Sequence, residues 1–118
     1  MTTERRCLIL DLVEDDDAIA WYRDRHRPGG PPPAVMRAIR DAGVVEMEIF
    51  LSGNRLVMIV DAPVDRDGST VATNADADNP DVQAWEAAMD TVQRPVGWAD
   101  PAEKWTPAQS IFRLSDQP

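Results

Sequence analysis

Apolar residues recur with two different periods along this chain of 118 residues. Residues 5–13 (RRCLILDLV) are rich in branched apolar side chains and end at a run of acids, which predicts a first strand. Residues 44–51 (VVEMEIFL) alternate apolar and acidic positions, and a short SGN link leads to a second apolar run at 55–61 (RLVMIVD). This pattern is typical of an antiparallel hairpin with one buried face. A last apolar segment, 110–114 (SIFRL), predicts a closing strand.

Residues 16–27 follow the helical period instead. Ile19, Tyr22 and His26 recur on one face of a helix with 3.6 residues per turn. An Asp of the preceding EDDD run is expected to cap this helix, with a metal-binding acid cluster as the alternative. A Pro-Gly-Gly run then ends it.

Two further helical segments are predicted. One covers residues 33–42, and the other begins at Asn79 and Pro80, which suit a helix cap and a first turn. The second of these carries an apolar stripe at Val82, Trp85, Met89 and Val92. Residues 62–80 predict a polar loop, with a short helix over 69–74 as an option.

The order of these segments is strand, helix, strand, strand, helix, strand, which is the plan of a ferredoxin-like βαββαβ fold. We therefore expect one α+β domain, residues 1–118, whose antiparallel sheet carries the helices on one face. The other face is expected to bear apolar side chains such as Met47, Ile49 and Met58, which need cover. Stacking the sheets of two copies covers them most simply, so we expect a homodimer.

Charge and cysteine usage restrict the partners and the compartment. The net charge is -9, with 12 Lys and Arg against 21 Asp and Glu, which disfavours nucleic acid and anionic membranes as partners. A local basic patch at Arg23, Arg25 and Arg27 stays open as an alternative. No apolar run reaches the roughly 18 residues of a membrane span. The single cysteine, Cys7, excludes an internal disulfide, and a cytoplasmic protein is expected.

Tyr22 and His26 are the only tyrosine and the only histidine of the chain. Their spacing places both on one side of a helix, one turn apart, so one interpretation is that they face a common cavity. The other is that Tyr22 is a core aromatic and that the His26 cation interacts with the helix dipole. One histidine and one cysteine supply no zinc or iron ligand set beyond carboxylates, and the chain has no glycine-rich phosphate loop. We expect neither a metal nor a nucleotide cofactor.

Five short segments match a known family in their order and spacing. They are YRDRH (22–26), AIRDAGVVEMEIFL (38–51), NRLVMIV (54–60), NPDVQAWEAAM (79–89) and SIFRL (110–114). Together these segments resemble the L-rhamnose mutarotase family over nearly the whole chain. They are similar to its first helix, its hairpin, its second helix with a Q-x-W motif at Gln83 and Trp85, and its terminal strand.

The resemblance implies a cofactor-independent sugar mutarotase of the dimeric α/β-barrel type. Such an enzyme interconverts the α and β anomers of a 6-deoxy-L-sugar, L-rhamnose or L-fucose, so the implied small-molecule partner is a monosaccharide. His26 matches the family's histidine, which implies proton transfer. Tyr22 and Trp85 match residues that contact the sugar. An acid and a base suffice for this ring opening, and histidine titrates in the right range.

The sequence departs from the family pattern at two pocket positions. RPGGPPP (27–33) replaces a tryptophan-proline pair after the histidine, and Glu86 stands where a second helix aromatic is common. Trp98 or Trp105, in the irregular segment 94–108, either fills the lost aromatic role or packs as a structural lid. The alternative function is therefore a non-catalytic or differently reacting dimeric α/β-barrel protein that binds a small molecule.

Overall fold

The computed structural model describes residues 3–63 and 76–118. The elements along these residues are β1 (Glu4–Leu12), α1 (Asp16–Arg25), α2 (Pro33–Asp41), β2 (Glu46–Ser52), β3 (Arg55–Ala62), α3 (Pro80–Asp90), β4 (Gln93–Arg94) and β5 (Thr106–Ala108). The predicted first strand, the hairpin and the helices are confirmed, although α1 ends two residues earlier than the sequence pattern suggests. The optional helix at 69–74 lies outside the described residues.

β1 is one of two inner strands of an antiparallel sheet, in which the strand order is β2-β3-β1-β4. β3 pairs with residues 4–11 of β1 on one side. Two short strands share the other side, where β4 places Gln93 opposite Leu12 and β5 places Thr106 opposite Ile9. Two short strands, β4 and β5, therefore take the place of the single fourth strand that the predicted fold requires.

The prediction of a closing strand at 110–114 is wrong. This segment does not join the sheet, and Ile111 and Phe112 are 91% and 66% exposed. Trp105, directly before β5, packs against two buried clusters of the core and so holds residues 106–108 beside β1. Apolar composition indicates that a segment is suited to pairing, but anchors of this kind decide which segment reaches the strand edge.

The core lies between the sheet and the helices. Leu12 and Leu56 of the sheet pack with Tyr22 of α1 and Met89 of α3, and all four are nearly inaccessible to solvent. Burial of side chains of this size contributes roughly 1.5–3 kcal/mol each relative to exposure, so this contact fixes α1 and α3 on the sheet. No helix within 3–63 and 76–118 has the length and apolar character needed to cross a membrane.

Met47, Ile49 and Met58 lie on this helix-covered face, so their predicted place on the opposite face is wrong. Cross-strand partners share a face, and Ile49 pairs with Met58, which in turn pairs with Leu8 of the core. Alternation in the sequence defines two faces but not which of them the helices cover. The opposite face carries half-buried Cys7, Ile9, Val57 and Ile59, together with the largely exposed Phe50.

Side-chain caps fix where two helices begin. Asp15 accepts a hydrogen bond of 2.9 Å from the Ala18 amide at the start of α1, which confirms the capping interpretation of the EDDD run. Asn79 accepts from the Asp81 and Val82 amides at the start of α3. Caps of this kind are typically worth about 1 kcal/mol each.

Candidate active site

A cavity of about 1020 Å³ lies between the sheet and the helices. Apolar side chains of β1, β2 and β3 line one side, and side chains of the three helices and of the segment before β5 line the other. A monosaccharide fits within this volume. The polar side chains that line it include Tyr22, His26, Glu86, Gln93 and Lys104.

The backbone that follows α1 places His26 at the edge of this cavity. His26 is the C-cap residue of α1, and the chain then turns so tightly that a Cβ on Gly30 would collide with the Arg25 carbonyl oxygen. Gly29 has a φ of 79°, in the left-handed region that glycine adopts at no steric cost. The glycine pair therefore stops the helix and turns the chain away, which leaves the imidazole on the cavity wall.

One hydrogen bond defines the tautomer of His26. Its Nδ1 atom lies 2.7 Å from the backbone oxygen of Tyr22. A carbonyl oxygen only accepts hydrogen bonds, so Nδ1 carries the proton and donates the hydrogen bond. In the neutral imidazole the lone pair is then on Nε2, which makes that atom the basic one.

The three residues singled out in the sequence meet at the cavity. The rings of Tyr22 and His26 stack with centroids 4.2 Å apart. The ring of Trp85, on α3, meets the imidazole edge-on at a centroid distance of 5.2 Å. All three line the cavity, so α1 supplies two of the side chains and α3 the third.

Burial sets opposite protonation preferences in Tyr22 and His26. Burial raises the pKa of the Tyr22 phenol to about 12, against the opposing effect of a hydrogen bond from Gln93, and the Glu86 charge adds to the rise. Burial lowers the pKa of His26 below its ordinary 6.5, only partly offset by the bond to the Tyr22 carbonyl. Near neutral pH the site therefore holds an uncharged base beside a protonated phenol.

Gln93 is a polar residue of this cavity that the sequence did not indicate. The residue is 8% exposed, and its Nε2 atom donates a hydrogen bond to the Tyr22 hydroxyl over 3.2 Å. The two residues are 71 positions apart, so no local spacing connects them. Gln93 directly follows Val92, the last residue of the apolar stripe predicted from the sequence, and its place opposite Leu12 points it toward the cavity side of the sheet.

Lys104 stands beside Glu86, the residue that departs from the pattern of the resemblance noted in the sequence. Its ammonium group lies 3.2 Å from the Glu86 carboxylate and 2.6 Å from that of Asp90. These three side chains are at least one-third exposed, so the pairs add little to stability. They give one part of the cavity lining a charged character in place of a ring.

The two tryptophans of segment 94–108 lie in different surroundings. Trp105 lines the cavity and packs against the core beside Met58 and Tyr22. Trp98 is 60% exposed, is not part of the cavity lining, and lies under the Arg55 guanidinium at 5.2 Å. Of the two, only Trp105 is placed to supply an aromatic wall.

A metal site was the alternative interpretation of the acidic run. Among the residues that the structure describes, no three His, Cys, Asp or Glu side chains lie close enough to hold a metal ion. The polar groups of the cavity are instead suited to hydrogen bonding and proton transfer.

Comparison with known proteins places the chain among sugar mutarotases. The family model described as L-rhamnose mutarotase matches residues 5–114. The L-fucose mutarotase of Xanthomonas campestris pv. campestris is 42% identical over 116 residues, which are 98% of this chain and 92% of that protein.

A solved structure supports the fold. The crystal structure of L-rhamnose mutarotase FA22100 from Formosa agariphila superposes with a TM-score of 0.63 and covers 94% of this chain and 98% of that one. The two sequences are 21% identical. The similarity shows that the mixed α+β architecture, with its curled antiparallel sheet, is shared.

Proposed function

Because this chain belongs to the L-rhamnose mutarotase family, we propose that it interconverts the α and β anomers of a 6-deoxy-L-sugar. L-Fucose is the first substrate to test, since the relative at 42% identity is an L-fucose mutarotase. L-Rhamnose is the second, since it gives its name to the matching family model. We further propose that the reaction needs no cofactor.

The observation that carries the proposal is the pairing of a base with a donor in one cavity. Mutarotation requires that a proton leave the anomeric hydroxyl and that another reach the ring oxygen. The His26 Nε2 lone pair, fixed by the bond from Nδ1 to the Tyr22 carbonyl, suits the first task. The Tyr22 hydroxyl, which burial keeps protonated by raising its pKa to about 12, suits the second.

The proposed reaction uses these two groups in both directions. On opening, Nε2 of His26 takes the anomeric proton, the bond from C1 to the ring oxygen breaks, and Tyr22 gives its proton to that oxygen. The aldehyde turns about its bond to C2. On closing, the Tyr22 phenolate takes the proton back as the ring oxygen attacks the other face of C1, and His26 returns its proton to the former carbonyl oxygen.

Trp85 and the apolar strands are suited to the rest of the sugar. A 6-deoxy-L-hexose has a methyl group and a patch of C–H groups, and the cavity offers Met47, Ile49 and the Trp85 indole. Stacking a C–H patch on an indole is worth roughly 1–2 kcal/mol by area. We therefore propose Trp85, with Tyr22, as substrate-binding residues.

We also propose that the protein acts as a homodimer. The opposite face of the sheet has half-buried apolar side chains and the 53% exposed Phe50. A second exposed apolar group lies near the end of the chain and consists of Ile111, Phe112 and Leu114, which are 91%, 66% and 76% exposed. Apolar surface of this kind is unusual on a monomer and is characteristic of interfaces.

Exchange NMR tests the proposed reaction and its alternative together. The H1 signal of one anomer is saturated, and the transfer of saturation to the H1 signal of the other anomer is measured. The sugars are L-fucose, L-rhamnose and several D-sugars, each with and without the protein. Accelerated exchange for a 6-deoxy-L-sugar supports the mutarotase. Binding of a sugar without accelerated exchange supports the non-catalytic small-molecule-binding alternative.

A further inference from the structure

The Gln93 side chain has one amide atom in use and one without a partner. Nε2 donates to the Tyr22 hydroxyl at 3.2 Å, whereas Oε1 has no hydrogen-bond partner among the described residues, although the side chain is more than nine-tenths buried. Nearly all buried polar atoms in proteins are hydrogen-bonded, because an unpaired one loses its water without compensation. On a cavity wall, such an atom is an acceptor that a ligand's donor can reach.

The hydrogen bond to Tyr22 also defines what the pair offers. Since the Tyr22 oxygen accepts from Gln93, its own proton is available to another acceptor. Tyr22 and Gln93 therefore present one donor and one acceptor side by side on the cavity wall. A ligand that fits both must place an oxygen acceptor next to a hydroxyl donor. Neutral polyols have that arrangement, whereas an ionised carboxylate has no proton to give to Oε1.

We propose that Gln93 is a further substrate-binding residue, whose Oε1 accepts a hydrogen bond from one hydroxyl group of the sugar beside the oxygen that Tyr22 contacts. The proposal rests on the proposed function and adds a specificity determinant to the same cavity. Gln93 is held in place by the pairing of β4 with Leu12 of β1, so the amide is presented from the sheet and not from a loop. Deletion of that one hydroxyl from the sugar leaves Oε1 unpaired.

The test compares sugars and variants in one binding experiment. L-Fucose and its 2-, 3- and 4-deoxy analogues are titrated against wild type, Gln93→Met and Thr106→Val, with tryptophan fluorescence as the readout. Methionine matches the length of glutamine without its polar atoms. Thr106→Val is the matched control, because Thr106 is the other buried residue with an unpartnered polar side-chain atom among the described residues. Its register opposite Ile9 places it on the other face of the sheet from Gln93, outside the cavity lining.

One deoxy analogue is expected to bind wild type roughly tenfold more weakly than L-fucose, as for loss of one buried hydrogen bond. In Gln93→Met the same analogue and L-fucose should bind equally, while Thr106→Val should behave as wild type. Gln93→Leu also lacks both polar atoms, should likewise bind the two sugars equally, and serves as the second variant if Gln93→Met does not fold. Discrimination that persists in Gln93→Met, or a wild type indifferent to every hydroxyl deletion, overturns the proposal.

Because the readout is binding, the two proposals fail separately. A protein that binds L-fucose without accelerating anomer exchange contradicts the proposed reaction but leaves the Gln93 comparison fully readable. A protein that binds none of these pyranoses overturns both.

Discussion

The His26 imidazole is held against Tyr22 in two ways at once. The rings stack with centroids 4.2 Å apart, and the His26 Nδ1–H donates to the Tyr22 backbone oxygen at 2.7 Å. Stacking sets the position of the imidazole, and the hydrogen bond sets its rotation and tautomer. One helical turn therefore delivers a phenol and an oriented base to the same cavity, and the reactivity expected of each follows from that geometry.

Replacing His26 should remove most of the catalysis. We expect His26→Ala to lower the rate of enzyme-catalysed anomer exchange by roughly 10²-fold or more, as is typical for a positioned acid–base group. His26→Asn should be similarly impaired, because it can donate near the Nδ1 position but has no equivalent of Nε2. Saturation-transfer NMR measures both rates.

Arg27→Ala is the control for this pair of variants. Arg27 follows His26, is exposed, and pairs with Asp24 over 3.3 Å at the surface. It should exchange anomers at the wild-type rate. If His26→Ala keeps the wild-type rate as well, His26 is not the proton-transfer residue.

The pH dependence of the rate should follow the lowered pKa of His26. The active form is the neutral imidazole, so kcat/KM should fall on acidification with its midpoint below pH 6.5, at the lowered pKa. On the alkaline side Tyr22, with a pKa of about 12, stays protonated, so no loss is expected up to about pH 10.

Tyr22→Phe separates the two groups in this profile. It removes the proposed proton donor and keeps the ring beside His26, so it should lower the rate and leave the acidic limb in place. The profile is measured as exchange rate against pH after subtraction of the uncatalysed rate. An acidic limb whose midpoint lies above pH 6.5 contradicts the assignment of a burial-lowered His26 pKa.

Trp85 should report sugar binding directly. Its indole lines the cavity and contacts His26, so L-fucose is expected to perturb tryptophan emission, and Trp85→Phe should remove most of that change. Loss of the larger ring should weaken binding by roughly fivefold, in line with about 1 kcal/mol of stacking. Trp98→Phe, at an exposed tryptophan outside the cavity lining, is the control and should keep the perturbation. Emission that sugars change equally in wild type and Trp85→Phe argues against this contact.

Light scattering should find a dimer. The expected mass is about 26 kDa, twice the 13.1 kDa of one chain, with a buried area on the order of 1,600 Å² or more. Phe50→Asp and Phe112→Asp place a charge on the two exposed apolar groups and should shift the mass toward that of one chain. Val45→Asp is the control, since Val45 is 66% exposed, lies directly before β2 and belongs to neither of these two apolar groups. A wild-type mass of 13 kDa at micromolar concentration rules the dimer out.

Local rules of the sequence determined the parts of this protein that depend on neighbours along the chain. The spacing of Tyr22 and His26 put both on one side of α1, because helix geometry repeats every 3.6 residues. The acidic run before α1 and Asn79 before α3 marked helix starts, since a short polar side chain satisfies free amides there. The alternation around Met47 and Ile49 marked β2 correctly as a strand. Family resemblance then supplied Trp85, which no local rule links to His26.

Tertiary structure decided everything that depends on contacts between distant segments. The helices α1 and α3 pack over the sheet face that carries Met58, and this face therefore lines the cavity. The alternation of apolar and polar residues in the sequence does not tell which of the two faces the helices cover. Because Trp105 packs against the core, residues 106–108 pair with the edge of β1, and residues 110–114 stay outside the sheet. Gln93 reached Tyr22 across 71 residues. Such pairings follow from how whole elements pack, and the period of a local pattern does not encode them.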